Sequence, residues 1–85
     1  MIVLRRIDNS CNMARFYALS IERSLFGEVI LIRRWGRIGT HGQRREDWYH
    51  ARDDAAAALG RLVGRKVRRG YLLVGGAAPA LTASR

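Results

Sequence analysis

The chain has few of the features that cross-link or anchor a small protein. Cys11 is the only cysteine among the 85 residues, which excludes an intrachain disulfide and makes a reducing cytoplasm the simplest compartment. Apolar runs such as Val29 to Ile32 are short, whereas a membrane-spanning helix needs about 20 apolar residues. The N-terminus lacks the charged region, apolar stretch and cleavage site of a secretory signal. We therefore expect a cytoplasmic protein without a membrane partner, and leave association with the nucleoid open.

Acidic residues and lysine are both scarce. The chain has seven acidic residues against 16 basic ones, a formal net charge of +9, and Lys66 is the only lysine. A GC-rich genome could explain why the other cations are arginines, but it does not explain why cations outnumber acids by more than two to one. A charge this large on a small surface attracts polyanions. Nucleic acid is therefore the first expected partner, ahead of an anionic membrane or an acidic protein.

Motifs for catalysis, cofactors and metals are also missing. The glycines of GRIGTHG, residues 36–42, follow a G-x-x-G-x-x-G spacing, which is neither the dinucleotide-binding fingerprint nor a P-loop. Cys11, His41 and His50 are scattered without the spacing of metal ligands. No nucleophile, general base and orienting residue occur together. We expect a protein that is not an enzyme and that binds no cofactor and no metal.

Composition and length predict one folded domain. Hydrophobic residues make up 48% of the chain and charged residues 27%, which is far from the composition of disordered proteins. A chain of 85 residues can build a single core. We expect a monomeric domain over residues 1–75 and a disordered tail over residues 76–85.

Hydrophobic periodicity predicts five strands and one helix. Tyr17, Leu19 and Ile21 alternate with more polar residues and are expected in the core. Trp48 lies in the middle of a predicted strand, and we expect it to pack under the helix. Three glycines within residues 36–42 predict a loop. The predicted strands cover residues 1–8, 15–22, 28–35, 43–50 and 71–74, and the predicted helix covers residues 52–69. The resulting fold class is α+β, an antiparallel β-sheet of four to five strands with one long α-helix packed across one face.

The predicted helix has an apolar arc and a basic stripe. Ala55 and Leu59 belong to the arc, and Lys66 falls in the middle of it. The Lys66 stem can extend past the helix end into solvent, or its ammonium group can contact a phosphate. The turn SLFG, residues 24–27, is open between a packed turn and an exposed apolar tip for a partner protein. The basic stripe consists of Arg61, Arg65, Arg68 and Arg69.

The segment RRWGRIGTHGQRR, residues 33–45, combines five arginines and three glycines with one tryptophan and no acidic residue. It resembles the signature of the WGR domain, named for the Trp-Gly-Arg found here at residues 35–37. The resemblance extends over residues 12–71. It includes RFY at residues 15–17, the turn LFG, the G-x-x-G-Q ending at Gln43, a helix bearing Ala55 and KVRRGY ending at Tyr71. Several motifs in the right order make the match specific for so short a domain.

WGR domains are best known as DNA-break-sensing modules of certain poly(ADP-ribose) polymerases, and they also occur as small bacterial proteins. The resemblance implies that Trp35 lies against the sugar of a terminal nucleotide and that Arg37 braces the DNA end or a neighbouring domain. The family pattern also has a lysine at the position of Lys66. It places an asparagine directly before the basic residue that precedes the aromatics, whereas Asn12 lies further back. These residues include no polymerase catalytic domain, so ADP-ribosyl transfer is not implied.

The signature tryptophan also has a physical reason to bind a DNA end. An exposed indole offers a stacking platform worth about 1–3 kcal/mol per base, and the end of a duplex presents a free face. The alternative is that Trp35 caps the core as an ordinary aromatic residue. The residues expected to bind nucleic acid are Asn12, Arg15, Arg33, Arg34, Trp35, Gly36, Arg37, Gln43, Arg44, Lys66 and Tyr71.

The sequence predicts binding of DNA ends or nicks with low sequence specificity, through Trp35 stacking and arginine–phosphate contacts. DNA is expected rather than RNA, although charge alone does not separate the two. The alternative is a protein-interaction module, accessory to a DNA repair or modification enzyme, in which Arg37 and the helix arginines bind an acidic partner. Cations that converge around Trp35 would favour end binding. A separate patch formed by Arg61, Arg65 and Arg68 would favour a partner or a second nucleic-acid surface.

Overall fold

A five-stranded antiparallel sheet carries one α-helix on one of its faces in the computed structural model, which describes residues 1–75. The strand order across the sheet is β4-β3-β2-β1-β5. The predicted α+β class is confirmed, and the expected tail over residues 76–85 lies outside the described residues. The elements in chain order are β1 (Ile2–Asp8), a 3-10 turn (Asn9–Cys11), β2 (Met13–Arg23), β3 (Val29–Arg37), β4 (Gln43–Tyr49), α1 (Arg52–Arg68) and β5 (Leu72–Gly75).

Alternation along the strands decides which residues form the core. Tyr17 and Leu19 of β2 are buried against α1, as predicted, and they pair with Trp35 and Arg33 of β3. Paired residues of antiparallel strands project to the same face, so these β3 side chains also lie on the helix side of the sheet. Ile32 is 8% exposed on the opposite face, where no helix packs within residues 1–75. Strand β3 is therefore apolar on both faces.

The helix approaches the sheet through small residues and ends at a glycine. Ala55 and Ala58 are buried, and Leu59 packs beside them. Gly70 has a φ of 96°, and its amide donates to the carbonyl of Val67, while the amide of Tyr71 donates to the carbonyl of Lys66. These bonds form a Schellman motif, which satisfies the last helical carbonyls and turns the chain toward β5. No helix within residues 1–75 is long and apolar enough to cross a membrane.

Two local predictions are wrong. Trp48 does not pack under the helix but is 52% exposed, because its neighbour Tyr49 takes the helix-facing position at the end of β4. Adjacent strand residues project to opposite faces, so only one of the two can face α1. The predicted loop over residues 36–42 is also shorter than expected, because Gly36 and Arg37 continue β3 and pair with Phe16 and Arg15.

The turn between β2 and β3 is an exposed apolar tip. Leu25 is 100% exposed and Phe26 is 90% exposed. The Ser24 hydroxyl accepts hydrogen bonds from the amides of Phe26 and Glu28 at 3.2 and 3.1 Å, and the Arg23 guanidinium donates to the carbonyl of Gly27 at 3.0 Å. The backbone of the turn is thus well bonded although its apolar side chains touch little. The tip lies at the end of β3 remote from Trp35.

Candidate nucleic-acid interface

A cleft of about 470 Å³ opens at the end of the sheet where β2 begins and β3 ends. We call it the signature cleft. No acidic side chain lines it, whereas Arg15 and Arg37 do. Six of the eleven predicted site residues are brought together here, namely Asn12, Arg15, Trp35, Gly36, Arg37 and Gln43. The cleft therefore offers an indole wall beside two exposed guanidinium groups.

Trp35 lies between the two predicted extremes of a free platform and a core residue. Its ring centroid is 6.2 Å from that of Tyr17, with the two planes tilted by 33°. The indole is half-buried and packs against the hydrophobic core, yet it also lines the signature cleft. Packing on one side restricts the rotamers of the indole, so less entropy is lost when the other side meets a ligand.

Two glycines let the strand ends approach each other behind Trp35. A Cβ added at Gly42, where φ is 69°, would lie 2.2 Å from the carbonyl oxygen of Trp35. A Cβ added at Gly36 would lie 2.8 Å from the Cα of Gly42. The signature glycines are therefore needed for close packing of backbone on backbone, which holds the indole in place. The turn between them closes through Thr40, whose amide and hydroxyl both donate to the carbonyl of Arg37 at 3.1 and 2.8 Å.

Arg33 connects the signature cleft with the helix side of the sheet. Its guanidinium carbon lies 6.0 Å from the Trp35 ring centroid, and its Nη2 atom lies 3.0 Å from a carboxylate oxygen of Asp47. Nη1 donates to the Tyr17 hydroxyl at 3.4 Å. Burial alone lowers the pKa of Arg33, but the Tyr17 and Asp47 contacts outweigh burial and raise it above its usual value. Arg33 therefore stays charged and is held in one orientation.

Lys66 rests on two aromatic rings instead of extending past the helix end into solvent. Contact of its ammonium group with a phosphate stays a prediction. Its ammonium nitrogen lies 4.5 Å from the ring centroid of Tyr17 and 5.4 Å from that of Tyr71. Tyr71 is 8% exposed and belongs to the core, so the structure gives its ring a packing role. Burial is the main cause that lowers the pKa of Lys66, and the nearby positive charges of Arg69, Arg65, Arg15 and Arg33 lower it further.

Two of the predicted arginines lie on the other face of the sheet. Arg34 and Arg44 pair across β3 and β4, and each is adjacent in its strand to a residue that faces α1. Because adjacent strand residues project to opposite faces, both arginines face away from α1. Arg34 donates through Nη2 to the carbonyl of His41 at 3.1 Å, which holds the loop after β3. Arg44 forms an ion pair with Glu46. The structure therefore does not bring these two cations together with Trp35.

Arg61 and Arg65 were not among the site residues predicted from the sequence, yet they share a groove with Arg33, which was among them. Both line a groove of about 280 Å³ between α1 and β4, together with Arg33 and Arg45. We call it the helix groove. Arg61 and Arg65 of the basic stripe thus lie beside cations of the sheet. The sequence holds a signal for this neighbourhood, because odd-numbered positions of β3 and β4 share the face on which the helix packs.

Within residues 1–75 no group of side chains is suited to hold a metal ion.

Comparison with known proteins identifies the family. The family model described as WGR domain matches residues 1–77. A relative from Sinorhizobium fredii, named Uncharacterized protein y4dW, is 46% identical over 70 residues. That alignment covers 82% of this chain and 34% of the relative, so the chain spans about a third of the relative's length. No solved structure matches the chain.

Proposed function

The chain belongs to the WGR domain family, and on that premise we propose that it binds the ends or nicks of DNA through the signature cleft. WGR domains are generally nucleic-acid-binding modules without catalytic activity. In this proposal the chain acts as a monomer and is not an enzyme. Trp35 stacks on the terminal nucleotide, Arg15 and Arg37 contact its phosphates, and Asn12 and Gln43 supply neutral hydrogen-bond donors at the rim.

One observation carries the proposal: a half-buried indole forms the wall of a cleft that cations line and acids do not. An indole needs a free aromatic or sugar face to stack on, and a continuous duplex hides its base faces inside the stack. The last nucleotide at an end or nick presents such a face. Guanidinium groups beside the indole would neutralise the phosphates of that nucleotide.

The low sequence specificity expected from the sequence also fits this site. Besides Trp35 and Met13, the cleft is lined by arginines and small residues, with Asn12 and Gln43 as its two side-chain amides. Reading a base requires several donors and acceptors aimed at one base edge. Contacts to sugar and phosphate do not distinguish one base from another. We therefore propose that the DNA end is recognised by its shape and charge.

The experiment compares a blunt duplex with the same duplex closed at both ends by hairpin loops. Fluorescence anisotropy of labelled DNA gives the Kd of each form at several salt concentrations. For the wild type we expect the open duplex to bind about 5-fold to 150-fold more tightly, since one stacked nucleotide contributes roughly 1–3 kcal/mol. Trp35→Ala should abolish this preference. Trp48→Ala removes the other tryptophan, which is exposed on the opposite face, and should leave the preference unchanged.

A second measurement protects the test against loss of stability in Trp35→Ala, because Trp35 also packs on Tyr17. Trp48→Phe leaves Trp35 as the only tryptophan of the chain. The open duplex should quench or shift its emission, and the closed duplex should do so much less. Equal affinity of the wild type for both duplexes, with equal spectral change, would exclude end recognition.

The protein-interaction alternative predicts a different result. In that case an acidic protein would bind Arg37 and the helix arginines, and open and closed duplexes would bind with the same weak, salt-dependent affinity that any cationic surface shows. The longer relative makes a neighbouring domain one such partner to test, because it extends well beyond the aligned part.

A further inference from the structure

The helix groove has more positive charge than its own carboxylate can balance. Four arginines line it, Arg33, Arg45, Arg61 and Arg65, and Asp47 is the one acidic residue among its lining. The net charge of these five side chains is +3. Like charges held within one groove repel each other, and the repulsion is relieved when an anion binds among them.

The four guanidinium groups fall into two pairs with different roles. Arg33 and Arg45 share the carboxylate of Asp47, at 3.0 and 3.1 Å, which orients both of them. Arg61 and Arg65 are exposed and form no ion pair within residues 1–75. They lie one turn apart on α1, about 6 Å along its axis. The first pair is fixed by the sheet, and the second is available to a ligand from the helix.

We propose that the helix groove is a second phosphate-binding site, which takes two or three consecutive phosphates of one nucleic-acid strand. Each backbone phosphate carries one negative charge, so three phosphates balance the net charge of +3 in the groove. The planar fork of arginine fits phosphate oxygens in pairs. The rest of the lining consists of Tyr49, Ala58 and Leu62. Their apolar surface lowers the local dielectric, which strengthens charge interactions in the groove.

The groove continues the path of a strand that begins in the signature cleft. Trp35 lines the cleft, Arg33 lines the groove, and the Arg33 guanidinium lies 6.0 Å from the Trp35 ring. Two residues along a strand span about 6.6 Å. A strand whose last nucleotide stacks on Trp35 would therefore extend along β3 and β4 into the groove. This continuity rests on the proposed function, whereas binding of phosphates in the groove does not.

The test uses two double variants that lose the same charge. Arg61→Gln with Arg65→Gln removes the free cations of the groove, and Arg5→Gln with Arg52→Gln removes two exposed arginines outside it. Anisotropy is measured with the hairpin-closed duplex, which has no ends, at several salt concentrations. We expect the groove variant to bind about tenfold more weakly, with a log–log salt slope shallower by about 1.8 for two lost contacts. The control variant should change the Kd less than twofold.

The outcomes are separable from those of the end-binding test. Equal losses in the two double variants, or an unchanged salt slope in the groove variant, would overturn the second site. The ratio of open to closed duplex affinity reports on the signature cleft alone, so the groove variant should retain it and Trp35→Ala should lose it. If the two double variants bind equally and the wild type still prefers the open duplex, the second site is excluded and the proposed function is unaffected.

Inorganic tripolyphosphate distinguishes a nucleic-acid strand from a free phosphate chain. It is titrated as a competitor against the labelled closed duplex bound to the wild type. Displacement only at concentrations far above the Kd of the duplex supports a nucleic-acid ligand, since the strand would gain contacts outside the groove. Displacement at or below that concentration would overturn the strand as the ligand and identify the groove as a polyphosphate site.

Discussion

The ammonium group of Lys66, the only lysine of the chain, lies 4.5 Å from the centre of the Tyr17 ring. Tyr17 in turn packs against Trp35, with 6.2 Å between ring centroids. One lysine of the helix is thereby connected, through a buried tyrosine, to the indole of the signature cleft. The stem of Lys66 completes the apolar arc of α1, and its charge adds to the cations on the helix side of the sheet.

Replacing Lys66 by methionine should separate stability from binding. Methionine keeps a flexible apolar stem over Tyr17 and Tyr71. It loses two cation–π contacts of about 0.5–1 kcal/mol each, and it also removes the burial cost and the repulsion from nearby arginines. We expect the free energy of unfolding in urea to stay within about 1 kcal/mol of the wild type, and DNA affinity to fall with a salt slope shallower by about 0.9. Unchanged DNA binding would remove Lys66 from the interface.

The same residue should give a pH dependence at alkaline pH. Burial and neighbouring arginines lower the pKa of Lys66 below its ordinary value of 10.5, so the folded chain releases this proton at a lower pH than the unfolded chain. Between the two pKa values the unfolded state binds more protons, and the free energy of unfolding therefore rises with pH. The unfolding free energy of the wild type, minus that of Lys66→Met, should therefore increase as the pH approaches 10.5. A difference that falls over this range would contradict the lowered pKa.

The ion pair of Arg33 and Asp47 should matter for stability and oppose binding. Both side chains are largely buried, with 17% and 23% of their surface exposed. Asp47→Asn leaves Arg33 with an uncompensated charge, which should cost about 1–3 kcal/mol in a urea titration after allowance for partial exposure. It also makes the helix groove more positive, so binding of the closed duplex should tighten. Glu46→Gln removes a carboxylate on the other face and serves as the control, with a change below about 0.5 kcal/mol.

Alternation and helical periodicity made the fold predictable. The pattern of Tyr17 and Leu19 gives the buried face of β2, and the spacing of Ala55 and Leu59 gives the packed face of α1, because both depend only on local geometry. The predicted position of Trp48 was wrong because it depends on more than local geometry. A mid-strand aromatic residue lies on one face or the other, and which face the helix covers is decided by the whole sheet.

The site was predictable only in part. Trp35, Arg37 and Gln43 follow from the signature, and the structure brings them into one cleft. Residue type alone could not separate Arg33 from Arg34, which lie on opposite faces of the sheet. The contact of Lys66 with Tyr17 joins residues that are far apart in the chain, so no local pattern indicates it.

The signature glycines should differ sharply in their tolerance of a side chain. Gly42→Ala places a Cβ 2.2 Å from the Trp35 carbonyl oxygen and adds the strain of a positive φ, so backbone must move. We expect a loss of about 3 kcal/mol or more, with a changed environment of Trp35 in the Trp48→Phe background. Gly39 has a φ of 95° with nothing within 4 Å of its Cβ position. Gly39→Ala should therefore cost only about 1–2 kcal/mol of conformational strain. Similar losses for both variants would mean that close packing at Gly42 is unimportant.

Arg37 is the residue whose loss should affect DNA ends without affecting the fold. It is exposed at the end of β3, lines the signature cleft and forms no ion pair within residues 1–75. Arg37→Gln should leave the melting temperature unchanged and weaken the open duplex about tenfold, as expected for one charge-assisted hydrogen bond. The closed duplex should weaken far less, because it has no terminal phosphate to offer. Arg5→Gln, an exposed arginine of β1, is the matched control for loss of charge alone. If Arg37→Gln weakens both duplexes equally, this arginine contributes general attraction and the end contact has to come from Arg15.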